Sequence, residues 1–143
     1  MAAQIIIGAG LIIASILVGA LFWLIIETAF VRLHDWLMRP PHRAKLVAAL
    51  VISLFGTLSM ISISVWIWTA AFVALDIFDT TEAALYFAIV SFTTLGFGDL
   101  LLPQDWRLLA GMIATNGFIS FGLVTALLVE TMRNIRLGQR DAT

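Results

Sequence analysis

Residues 92–103 read FTTLGFGDLLLP, and they lie between two runs apolar enough to sit in lipid. Glycines at 96 and 98 cost conformational entropy, so their alternation has a reason only if the backbone itself has a task. The stretch just upstream, DIFDTTEAALYFAIVS, narrows that task. Asp79 followed by Glu82 has the spacing of a capping box, and the apolar residues after it predict a helix over 80–92. Such a helix is about 20 Å long at 1.5 Å per residue, too short to cross a bilayer of about 30 Å. Non-helical backbone at that depth is tolerated only where it is buried in protein or lines water. A narrow row of carbonyls facing water can replace the hydration shell of a cation. Gly96 and Gly98 accept the angles that turn successive carbonyls one way, Leu95 and Phe97 anchor the segment from behind, and Thr94 adds a hydroxyl at the inner end. The preceding helix would aim its negative C-terminal dipole at the same place.

The rest of the chain has the composition of a membrane protein. It is 62% hydrophobic and 12% charged, with mean hydropathy +1.06. Three runs, 5–26, 46–75 and about 106–129, are long enough to span. The first has no basic leader and is longer than a signal-peptide core, so it reads as a retained helix. There is no cysteine, hence no disulfide or thiolate site, and His34 and His42 alone cannot complete a zinc site. No basic run suggests nucleic acid. Acidic residues sit at the segment ends rather than converging within them, so an enzyme is not expected.

Charge placement gives topology. Arg32, Arg39, Arg43, Lys45, Arg133, Arg136 and Arg140 fall on one side of a three-span arrangement and only Arg107 on the other. The basic side is therefore expected to be cytoplasmic, with the N-terminus outside and a plasma (inner) membrane as the setting. The stretch 28–45 divides into an apolar face (Ala29, Phe30, Leu33, Trp36, Leu37) and a polar one (Thr28, Arg32, Asp35, Arg39), ending at Pro40-Pro41. Two readings fit it: a helix lying in the interface, or a continuation of the first span.

TTLGFGD resembles the selectivity signature of potassium channels, in the Gly-Phe-Gly form found in the second pore loops of two-pore-domain channels. NGFISFGLVTALLV, residues 116–129, is similar to the inner helix of potassium-channel pore domains, and EAALYFAIVSFTTLGFGDLLLP follows the general pore-domain pattern. The likeness covers about residues 46–132. It implies an all-α membrane protein with three transmembrane helices, a re-entrant pore helix and a selectivity filter, four chains forming a homotetrameric pore. The filter would be Thr94, Leu95, Gly96, Phe97 and Gly98, holding K+ through backbone oxygens of 94–97 and the Thr94 side chain. Asp99, Tyr86 and Thr93 would support it, and Gly117 would be the inner-helix hinge. Phe118, Phe121, Thr125 and Val129 would line the cavity and its constriction. These four also share one helical face; packing usually accounts for such a stripe, and the polar Thr125 within it favours a pore lining. The family's pore-helix glutamate, paired tryptophans and filter tyrosine are here Val90, Tyr86 with Phe87, and Phe97. Tyr86 is accordingly expected to donate its hydroxyl to Asp99.

The implied organisation is an extra N-terminal helix (1–27), a cytoplasmic segment (28–45), a pore domain (46–132) and a short tail (133–143). The expected partners are the lipid bilayer, K+ ions and three further copies, with no cofactor beyond bound K+. The alternatives are a channel that does not distinguish K+ from Na+ and a non-conducting accessory subunit. The runs 5–26 and 46–75 carry no arginine or lysine, so a charged-helix voltage sensor is not expected, nor is a nucleotide- or calcium-binding domain expected in the eleven residues after Met132. His34 and His42 are candidate proton sensors or ordinary interfacial residues. Asn116 and Ser120 bond either between helices or to their own backbone. Glu130 and Arg133 have the spacing of a surface pair.

Overall fold

A computed structural model of the chain describes residues 1–33, 36 and 41–141, and among these there is no strand. Among the described residues the helices in order are α1 (Ala2–Arg32), α2 (His42–Ala74), α3 (Thr81–Phe92) and, after a 3-10 turn at Gln104–Trp106, α4 (Arg107–Asp141). Three are long and apolar enough to cross a membrane, over Ala2–Arg32, Ala44–Ala74 and Gln104–Leu137. Helix α3, twelve residues and about 18 Å, is not.

The spans are longer than the apolar runs that announce them. Helix α1 continues through Glu27–Arg32 because no breaker interrupts it, so the first part of the 28–45 segment prolongs the first span. Helix α2 starts at His42 behind Pro41, whose extended backbone at φ −83°, ψ 124° forms the N-cap. His34, Asp35, Leu37, Met38, Arg39 and Pro40 lie outside the described residues, as does the side chain of His42. An interfacial helix and the histidine sensors therefore stay as expectations.

Helix α3 starts one residue later than its acidic signal suggests. The N-cap is Thr80, not Asp79: Thr80 is extended (φ −133°, ψ 147°), and its hydroxyl accepts the Ala83 N–H at 3.2 Å. Thr80→Ala is expected to cost about 0.5–2 kcal/mol, read as a lower thermal midpoint in detergent.

Helix α1 packs on α2 and α4, while α3 sits between α2 and α4. The core lies around α3. Val65, Trp68 and Phe72 of α2, Ala84, Phe87, Ala88 and Phe92 of α3, and Leu109 and Ile113 of α4 are all buried there, with Leu11 and Ile12 of α1 against them. Phe72 is the centre of an aromatic group, edge-on to Phe87 at 5.5 Å and to Phe78 at 6.0 Å. The buried hydroxyls of Ser53, Ser64, Thr69 and Ser120 return to the carbonyl four residues back, so hydrogen bonding within the span satisfies them. For Ser120 that settles the choice in favour of its own backbone. Trp68 Nε1 and Asn116 Nδ2 are buried donors with no partner among the described residues.

Candidate functional site

Helix α3 ends inside the bundle, and its end shapes everything after it. The Leu95 N–H donates to the Val90 carbonyl at 3.0 Å and the Thr94 N–H to the Ser91 carbonyl at 3.0 Å. This is a Schellman closure, which requires its C′ residue in the left-handed region. Thr94 occupies that position at φ 60°. A β-branched residue there is rare, and the conformation costs about 1–2 kcal/mol. Gly96 N–H also reaches the Val90 carbonyl, at 3.2 Å, and Thr93 turns its hydroxyl back to Ile89 at 2.8 Å.

From Thr94 the left-handed conformation recurs at every second residue: φ is 60° at Thr94, 56° at Gly96 and 78° at Gly98, while Leu95 and Phe97 do not adopt it. Such alternation is not that of a strand, in which φ stays negative from residue to residue. Residues 93–99 are all exposed in the protomer, and a Cβ on Gly96 or Gly98 would meet nothing within 4 Å. The segment is thus pinned at its helical end and open on its flank.

At its far end Tyr86 donates its hydroxyl to Asp99 Oδ2 at 2.6 Å, the bond expected from the residues that replace the family's pore-helix donors. This hydrogen bond holds the Asp99 carboxyl below the usual carboxylate range. Because the folded value is depressed, the bond's contribution is present above the ordinary carboxylate pKa and is lost only as pH falls through the lowered one. Tyr86→Phe is therefore expected to bring Asp99 back toward the ordinary carboxylate range; titration of an Asp99 carboxyl carbon signal checks it.

Gly117 lies directly under the end of α3. A Cβ there would overlap the Phe92 carbonyl oxygen and come within 2.7 Å of its carbon. Phe121, one turn on, meets the Phe92 ring at 6.1 Å. Helix α4 runs unbroken through Gly117. Phe118, Phe121, Thr125 and Val129 share an exposed face of α4, Phe118 at 74%. Leu109, Ile113, Asn116, Ser120 and Val124 bury the opposite one. The Thr125 hydroxyl donates to its own helix at the Phe121 carbonyl, 2.8 Å away. Glu130 and Arg133 form the i,i+3 pair at 3.7 Å, both exposed, a contact worth little in stability.

The structure thus gathers Tyr86, Thr93 to Asp99, Gly117 and Phe121 around the end of α3, and strings Phe118, Thr125 and Val129 along the adjoining face of α4. Three membrane-length helices, with a non-spanning one whose end leads into the glycine segment, define an all-α membrane protein. A family model described as "Ion channel" matches residues 57–134, more than half of the chain, and the chain belongs to this ion-channel family. The match takes in most of α2, all of α3 and the glycine segment, and most of α4; α1 lies outside it. No curated protein and no solved structure matches.

Proposed function

We propose that this ion channel is potassium-selective and that four copies assemble around an axis lined by residues 94–98. The observation that carries the reading is the left-handed alternation at Thr94, Gly96 and Gly98, launched from the end of a helix too short to span. One such strand supplies oxygens on one side of an ion only; four, related by a closed rotation, surround it. The exposure of residues 93–99 and of Phe118, Phe121, Thr125 and Val129 agrees with a face turned to that axis. In this reading Thr94 also lends its hydroxyl, Tyr86, Thr93 and Asp99 brace the filter, Gly117 seats the inner helix, and the α4 stripe lines the cavity. The filter opens to the outside of a plasma (inner) membrane and the arginine-rich ends face the cytoplasm. Conduction makes and breaks no covalent bond. It requires only that carbonyls match the hydration energy of K+ better than that of Na+.

The test is purified full-length protein in liposomes under opposed K+ and Na+ gradients. A reversal potential following the K+ gradient is expected. A potential near zero would assign a non-selective cation channel, and no current at all an accessory subunit.

A further inference from the structure

The first turn of α4 has N–H groups with no partner inside the helix. The Gln104–Trp106 turn that leads into it has no side-chain cap at its own N-cap, Pro103. The acceptor comes instead from the other end of the chain. Gln4, buried in the first turn of α1, accepts the Leu108 N–H on its Oε1 at 3.1 Å and donates its Nε2–H to the Asp105 carbonyl. One amide thus uses both its ends to tie α4's first turn to the turn before it, across a hundred residues of sequence. The contact continues inward: Gly8 lies against Met112 and Leu109, where a Cβ would come within 3.2 Å of Leu109 Cδ2. At the far end of the bundle Phe30 of α1 packs, as Met132 does, against the cluster formed by Ala49 and Ile135. Helix α1 holds α4 near both of its ends, although the family match excludes α1.

We infer that α1 is a strut of the pore wall and that Gln4 is its positioning residue, acting as a remote N-cap of the inner helix. It fixes the turn at Gln104–Trp106, a few residues beyond Asp99, and through it the mouth into which the glycine segment opens. The consequence for conduction rests on the potassium-channel reading; the cap itself does not.

The experiment compares wild type, Gln4→Leu and Gln4→Glu, each full-length in liposomes, by hydrogen–deuterium exchange of the peptide covering 104–112 and by K+ flux. Leucine removes both bonds; glutamate keeps the acceptor for Leu108. Loss of a cap is expected to speed exchange of the first-turn amides about three- to thirtyfold in Gln4→Leu, with residues 60–75 unchanged. Gln4→Glu is expected to keep most of the protection, and flux to follow the same order, Gln4→Leu lowest. Wild-type exchange at 104–112 in Gln4→Leu would overturn the cap, as would deprotection spread evenly over all helices. Altered exchange with wild-type flux would overturn the link to the pore. A wild-type protein that passes no K+ would overturn the channel reading, and the exchange data would still decide the cap.

Discussion

Gly96→Ala is expected to abolish potassium flux while leaving the protomer folded. Within one chain the alanine Cβ would meet nothing within 4 Å, so sterics inside the chain are not the cause. The cost is in the backbone. At φ 56° an L-residue is about 1–2 kcal/mol worse than glycine, and the proposed tetramer would incur it four times around one axis. The cheapest relief is to rotate residue 96 to negative φ, which in the proposed filter would swing a carbonyl out of the row and leave a gap in the coordination. A fall in K+ flux of at least about a hundredfold, some 2.7 kcal/mol, is expected, with the circular dichroism spectrum and the tetramer band unchanged. Thr94, already left-handed, marks how far the fold tolerates such strain in an L-residue: it does so where a Schellman closure holds the residue. Gly96 has the single N–H bond to Val90 and no such closure around it.

The second large effect is expected at Gly117. Gly117→Ala would drive a methyl group into the Phe92 carbonyl, a backbone atom that cannot swing away as a side chain would. Either α4 moves off α3 or the end of α3 moves, and the latter carries Thr94 with it. Overpacking of this kind costs about 1–3 kcal/mol and sometimes more. The thermal midpoint is expected to drop by several degrees and flux to be lost with it. Gly10→Ala is the control: nothing lies within 4 Å of its Cβ, and alanine gains up to about 1 kcal/mol of helix propensity. A pure hinge role for Gly117 makes the opposite forecast, with the midpoint of Gly117→Ala kept and open probability alone reduced.

The elements of this fold were legible where the signal is local. Three apolar runs marked three spans, and the short run at 80–92 identified a helix that could not span. The pairing of Tyr86 with Asp99 follows from the resemblance to potassium-channel pore domains, whose pore-helix donors Tyr86 and Phe87 replace. Boundaries were less legible, because a hydropathy run ends where charges begin while a helix ends where its hydrogen bonding fails: α1 passes through Glu27 to Arg32, and α2 begins as far back as His42. The cap fell on Thr80 rather than Asp79, since backbone geometry, not acidity, decides which of two adjacent acceptors faces the first turn. Three features had no local signal. Thr94 resists the left-handed region intrinsically and enters it only because the end of α3 must close. The close approach at Gly117 depends on how near α3 comes, which no spacing within α4 reveals. Gln4 reads as an incidental polar residue at the start of an apolar run until Leu108, a hundred positions away, is found beside it.

The most direct test of ion coordination by this backbone is diffraction from crystals of the full-length protein grown in rubidium or thallium salts. These ions follow K+ and scatter anomalously. A row of anomalous peaks on a fourfold axis, flanked by carbonyl oxygens of Thr94, Leu95, Gly96 and Phe97 from four chains, is the predicted result. An ordered assembly in which that row is empty, or in which those carbonyls turn away from any shared axis, would contradict it.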